Sequence, residues 1–314
     1  MASCCMPGGR GVQASPPCAA TGLAADGAEL APRLATIPRT TFLMGNDGPD
    51  AMSSDGEGPV REVTVSAFAI AATTVTNQQF AAFVRATRYA TDAERAGSSF
   101  VFFLQLPEAQ RRQVRRVAAS LPWWLPVAGA CWQRPEGPGS QVHERPDHPV
   151  VHVSWNDAMA YCAWAGLRLP TEAQWECAGR GGRDGLRFPW GNELCDGDVP
   201  RANVWRGEFP NRPRHGWMPG PVTATSGPPN DFGLHHVCGN VWEWCADAYS
   251  PLYHRATAAE DPLFNAPTGL RSMRGGSFLC HDSYCNRYRL AARHSAAADL
   301  STSHIGFRVA GPAP

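Results

Sequence analysis

Cys280 and Cys285 stand five positions apart in the segment RGGSFLCHDSYCNRYR, with Ser277, His281 and Tyr284 around them and Arg287, Arg289 and Arg293 close behind. The thiolate is both the nucleophilic and the metal-binding form of cysteine, and neighbouring guanidinium groups favour it by lowering the thiol pKa. Two thiolates without a further strong ligand suit a soft cation of low coordination number, for which Cu(I) is the natural candidate. The same pair could close a redox disulfide or be purely structural, and spacing alone leaves all three open. The neighbours carry double readings as well. Tyr284 and Tyr288 suit plain packing, and the His281 ring suits a structural role turned away from the thiols. Arg287, Arg289 and Arg293 suit anchors for carboxylates, and Trp123 and Trp124 suit core as readily as pocket.

Little else in the chain reacts. All 28 cations are arginine, because the 314 residues contain no lysine. That removes Schiff-base chemistry, a phosphate-loop lysine and a lysine general base. The 28 acids balance the arginines to a formal charge of zero, which argues against a nucleic-acid or membrane-surface partner. Among the 11 cysteines no pair has zinc-knuckle spacing. No apolar run approaches the roughly 18 residues of a membrane span. The N-terminal MASCCMPGGRGVQASPPCAATG lacks the apolar stretch of a secretory signal, so the expectation is a soluble cytoplasmic protein with reduced thiols.

The elements that must position these groups are short. Residues 1–33, rich in Ala, Gly, Pro and Ser, read as a disordered tail, with one domain over 34–314. LATIPRTTFLMGN reads as a strand ending at Gly45, DGPDAMSSDGEGP as a polar loop and VREVTVSAFAI as a second strand. Capping boxes at Thr76/Gln79 and Thr171/Gln174, and Ser154 with Asp157, open three helices, the second of which stops at Gly166. PEAQRRQVRRVAASL is a fourth candidate, whose Arg111, Arg112, Arg115 and Arg116 read as a solvated face. With 31 Gly and 28 Pro, the expected class is α+β with low regular structure and much ordered coil.

GGSFLCHDSYCNRYR with GFR downstream resembles the signature of the formylglycine-generating enzymes, the sulfatase-modifying factor family. The similarity extends in order through MGNDGPDAMSSDGEGPVREVTVSAFAI, TVTNQQFAAFV, SLPWWLPVAGACWQRPEGPGS, RPDHPVVHVSWNDAMAYCAWAGLRLPTEAQWE, FPWGNEL, ANVWRGEFP and GNVWEWCAD, about residues 34–310. The helix and GNVWEW blocks belong to a wider superfamily and speak for fold, whereas the two-cysteine block is specific. The resemblance implies a single C-type-lectin-like domain. It also implies a copper-dependent oxidase that uses O2 to convert the cysteine of an unfolded C-x-P-x-R sulfatase segment to Cα-formylglycine. By that carry-over Cys280 and Cys285 hold Cu(I), with Ser277 and Tyr284 as catalytic neighbours, while Trp205, His281, Arg293 and His304 face the substrate. A monomer is expected. The rival readings are a non-catalytic sulfatase-peptide binder, a sugar-binding module and an iron sulfoxide synthase. The last would need a His-rich motif that is not in the sequence.

Departures from the family concern disulfides and calcium. Of the two bridges of secretory relatives, Cys162 keeps one position but faces Val309, while Gly179 and Leu290 replace the other pair. Cys162, Cys177, Cys238 and Cys245 are therefore expected as buried thiols. The resemblance implies two calcium sites. Asn203 and the Val204 carbonyl match the first, but His215 takes its carboxylate position, with Trp217 following. Glu243 and the carbonyls of Gly239 and Val241 match the second, beside His236. Imidazole is a poor ligand for a hard cation, so the first site is expected empty or very weak and the second weakened but held by Glu243.

Overall fold

The structure, a computed structural model, describes residues 30–114 and 121–314 and the isolated Pro7. The 1–33 tail reading thus falls outside the described residues except for Pro7 and 30–33. So do Arg115 and Arg116 of the fourth helix candidate, of which α3 realises Glu108–Gln113.

Each of the two long strands read from the sequence is a pair of shorter ones. β1 (Leu34–Ile37) and β2 (Thr40–Met44) are separated by Pro38, which offers no N–H to a ladder. β3 (Arg61–Val65) and β4 (Phe68–Ala71) are separated at Ser66, whose N–H and hydroxyl both donate to Asp261, at 2.7 and 2.6 Å. β2 then pairs antiparallel with β3, and β1 with β4.

Three helices start where their caps predict. In α1 (Asn77–Thr87), α4 (Trp155–Ala165) and α5 (Glu172–Arg180) the side chains of Thr76, Ser154 and Thr171 each accept from the N–H three residues on, and the reciprocal bond is made every time. A cap of this kind contributes about 1 kcal/mol. α2 (Asp92–Ala96) has the same box, Thr91 with Glu94, which the sequence reading passed over. Between the helices Phe80, Phe83, Tyr161, Trp164 and Phe307 pack ring on ring at centroid distances of 5.3–6.4 Å.

β5 (Ser98–Phe102) and β6 (Trp124–Ala128) form a separate antiparallel pair. Two minimal hairpins follow, β7 (Cys195–Asp196) with β8 (Val199–Pro200) and β9 (Gly207–Glu208) with β10 (Arg212–Pro213). The largest sheet has the order β13-β12-β11-β14, built from β11 (Trp242–Ala248), β12 (Leu270–Arg274), β13 (Arg293–Ala297) and β14 (Ile305–Gly306). Only β11 and β14 run parallel. β15 (Ala310–Pro312) returns to β4 and completes a three-stranded sheet with β1. The strands run from two to seven residues and are set in much ordered coil, as the α+β reading expects. Among the described residues no helix is long and apolar enough to cross a membrane.

Candidate functional site

The connection from β12 to β13, residues 275–292, carries both thiols. Its two ends touch at Gly276, where a Cβ would lie 2.6 Å from the Arg287 carbonyl and φ is +72°, so only glycine fits. The Cys280 N–H donates to the Ser277 carbonyl at 3.0 Å, and the Ser277 N–H points at Cys280 Sγ at 3.4 Å. Trp205 donates its backbone N–H to the Cys280 carbonyl at 3.1 Å. Five residues on, the carbonyl of His281 gathers the N–H groups of Tyr284, Cys285 and Asn286 at 2.9–3.0 Å, which turns the chain so that Cys285 comes back to Cys280.

Both thiols are buried, not joined in a disulfide, and within hydrogen-bonding reach of each other. Burial and the neighbouring thiol push the Cys280 pKa well above its ordinary value. Arg287 still pulls it down, as the sequence reading expects, but burial and the second thiol outweigh that pull, so the net shift is opposite to the expectation. Arg287 donates to Asp55 at 2.5 Å and Arg289 grips Glu57. Two adjoining buried thiols suit a soft cation that replaces their protons. Among the described residues no three of His, Cys, Asp and Glu gather, so the donor set is one for low coordination.

A small cavity adjoins the pair, walled by Trp123, Trp124, Phe209, Trp242, Ser277, Leu279, Tyr284 and His304. The space open to a water centre is about 10 Å³, which is about what one water needs. Tyr284 stacks on Phe209 at 4.3 Å and meets Trp123 edge-on at 5.2 Å. His304 lies 4.6 Å from Trp124, ring centre to ring centre, and its Nδ1 is 2.5 Å from the Thr302 hydroxyl. Burial drives its pKa well below the ordinary value, with His294 and His152 adding to the effect. The imidazole is therefore neutral.

Of the sequence-derived site residues, Ser277, Tyr284 and His304 meet the thiols at this cavity, and Trp123 and Trp124 wall it. Three others lie elsewhere. Trp205 packs behind the wall against Phe102, Phe209 and Trp217. The His281 ring turns to Ser283 and Asp282, at 2.7 and 3.0 Å. Arg293, expected to face substrate, is fully buried. It donates to both Glu172 oxygens at 2.6 and 2.7 Å and to the carbonyls of Asp55, Gly56 and Ser250 at 3.0 Å, so its role is structural. Phe209 and Trp242 were missed. Both stand in quoted blocks, GEFP and GNVWEW, but nothing local marks them as neighbours of the cysteines.

The residues matched to calcium divide in the same way. Asn203 donates to the Gly220 carbonyl and to Asn240 Oδ1, both at 3.0 Å, and bridges to Gly239, whereas His215 stands exposed. Val204 and Val241 are buried beside them, and His236 is 2.9 Å from the Ser226 hydroxyl. Glu243 is engaged by protein donors. Both its oxygens accept from Arg308, at 2.5 and 2.6 Å, and one accepts from the Trp175 indole at 2.6 Å. Its charge is thus balanced by a buried arginine. Where relatives place the second bridge, a Cβ on Gly179 would sit 3.2 Å from Leu290 Cδ2, so a packing contact occupies the position of the crosslink. Cys162, Cys177, Cys238 and Cys245 are buried and free, and burial raises the thiol pKa of each.

Comparison with known proteins agrees with the motifs. A family model described as the sulfatase-modifying factor enzyme 1-like domain matches residues 21–313. A formylglycine-generating enzyme of Thermomonospora curvata is 51% identical over 288 residues, covering 90% of this chain and 94% of that protein. An inactive C-alpha-formylglycine-generating enzyme 2 of Bos taurus is 44% identical over 281 residues, covering 87% and 86%. Among solved structures, PvdO from Pseudomonas aeruginosa superposes with a TM-score of 0.65 at 24% identity, over 91% of this chain and 96% of that one, which speaks for fold alone.

Proposed function

Since the chain belongs to the sulfatase-modifying factor enzyme family, we propose that it is an oxidoreductase that converts a cysteine of a sulfatase polypeptide to Cα-formylglycine. The observation that carries this reading is the buried pair Cys280 and Cys285 beside a small, largely aromatic cavity. The group those thiols would hold is Cu(I), which would supply one-electron chemistry toward O2 and a Lewis-acidic partner for the substrate thiol. Holding it requires both cysteines to release their protons. Ser277 and Tyr284 stand at the cavity to orient oxygen and the substrate Cβ. Phe209, Trp124 and Trp242 keep bulk water away from the thiols, and neutral His304 offers a polar contact without adding charge.

The overall reaction balances with one external reductant. Taking the substrate Cβ from thiol to aldehyde removes two electrons, and a thiol pair supplies two more as it becomes a disulfide. O2 accepts all four. The products are aldehyde, hydrogen sulfide, water and the disulfide of the reductant. The substrate of this reading is a flexible C-x-P-x-R segment of an unfolded sulfatase, and a cavity with space for about one water supports a narrow segment over a folded surface. The free cysteines support a reducing, intracellular location.

The 44% identical relative named inactive favours a second reading, a chain that binds such segments without converting them. The intact thiol pair favours conversion. Incubation with Cu(I), a thiol and a C-x-P-x-R peptide in air, followed by mass spectrometry, is expected to show the aldehyde. Binding without conversion under these conditions would establish the second reading instead.

A further inference from the structure

The two thiols are held by unlike means. Cys280 is fixed by main chain on both sides, through Ser277 and Trp205. Cys285 is followed at once by Asn286 in the left-handed region, φ +47°. Asparagine tolerates this conformation better than most residues, yet it must be held there. The holder is Arg289. Its Nε donates to the Asn286 carbonyl at 2.9 Å, while its two terminal nitrogens donate to the two carboxylate oxygens of Glu57 at 2.7 Å each. Glu57 and Arg289 are 0% and 1% exposed, so neither can exchange the other for water.

Glu57 is itself fixed from behind. Its carbonyl accepts the Asn46 N–H at 2.9 Å, and a Cβ on Gly45 would approach that carbonyl to 2.6 Å. Two residues earlier, Asp55 holds Arg287 at 2.5 Å. The loop that read as a polar linker therefore grips the chain just after Cys285 from 232 positions away. A two-thiolate site has no third protein ligand to correct a misplaced donor, so prior ordering of the second thiol bears directly on affinity.

We propose that Glu57 is a positioning residue for the metal-binding thiol of Cys285, acting through Arg289 and the Asn286 carbonyl. The inference rests on the Cu(I) reading above. Two variants test it: Glu57→Gln, and the double variant Glu57→Leu/Arg289→Met, which leaves no unpaired charge and so keeps the fold where the single change does not. Glu136→Gln, which breaks the bidentate pair with Arg145 elsewhere in the molecule, is the control. The Cu(I) dissociation constant is measured on the full chain by competition with a chromophoric chelator, at a temperature where circular dichroism shows each protein folded.

Both Glu57 variants are expected to bind Cu(I) roughly 10–100-fold more weakly than wild type, with the control unchanged. A merely structural Glu57 would move the melting temperature and leave this constant alone. Folded variants that bind within about twofold of wild type would overturn the proposal. A wild type that takes up no Cu(I) would overturn the copper reading, and this inference with it.

Discussion

The neck of the thiol-bearing loop and the wall of its cavity are built from opposite materials. At the neck, Arg274 donates to the carbonyls of Ala291 and Ala292 at 3.0 Å and pairs with Glu176, while all three nitrogens of Arg293 are engaged. Burial alone would raise the Glu176 carboxyl, but Arg180 and Arg274 outweigh it and hold the pKa down at about 2. At the wall most groups are aromatic, and the indole N–H groups of Trp242 there and of Trp205 behind it find no acceptor in the protein. A dense charge network fixes the loop, and a largely aromatic wall with unmet donors leaves the interior ready for an incoming chain. Stability and function should therefore separate by region.

The largest effect belongs to neither region but to what lies between them. Cys285→Ser or Cys280→Ser is expected to abolish aldehyde formation with little change in melting temperature, checked by peptide mass spectrometry beside calorimetry. Retained turnover in either would remove the mechanism. Next comes the neck. Glu172→Gln strands a buried guanidinium and should cost about 3–5 kcal/mol of unfolding free energy, measured by urea titration. A cost below about 1 kcal/mol would mean that the network is not what fixes the loop.

Acid should tell the regions apart more gently. Burial pushes His152, His236, His254 and His294 down to about 4. Each binds fewer protons folded than unfolded, so the stability it contributes is complete above pH 6.5 and is lost as pH falls toward 4. Asp157 and Asp247, raised by burial to about 7, bind more protons folded and work in the opposite sense. With His304, which burial lowers further still, five histidines stand against two carboxyls and leave a net uptake on the order of three protons on unfolding near pH 5. Urea midpoints measured between pH 7 and 5 would show it as falling stability, and a flat profile would contradict it.

The wall itself should respond in function alone. Phe209→Ala removes a stack worth about 0.5–1.5 kcal/mol and is expected to raise KM several-fold with the melting temperature nearly unmoved. A large stability loss would make Phe209 core. The smallest effect is that of calcium chelation. With Glu243 taken by Arg308, adding a chelator should barely shift the melting temperature, and a large drop would reveal oxygen ligands elsewhere.

Much of this was legible because it is local. Thr76, Ser154 and Thr171 announce their helices within four residues, and the cysteine block names its own chemistry. What escaped is non-local. Asp55 and Glu57 sit in a stretch whose composition reads as solvated loop, yet both are buried because their arginines arrive from 232 positions away. Burial explains the misjudged thiol. Arg287 lowers the Cys280 pKa as its nearness in sequence suggests, but the depth of the site and the second thiol, which no spacing rule reveals, outweigh it. Pro38 broke a strand that alternation alone made continuous.

The pairing of β15 with β4, of β14 with β11, and of Arg308 with Glu243 has a consequence for biosynthesis. Residues 305–312 complete both main sheets, so a nascent chain emerging from the ribosome carries open sheet edges and an unneutralised Glu243 until those residues are made. Such long-range closure makes for slow folding and prolonged exposure of strand edges. During that interval the thiols of Cys131, Cys162, Cys177, Cys238, Cys245, Cys280 and Cys285, buried in the finished fold, are accessible to oxidants and to one another.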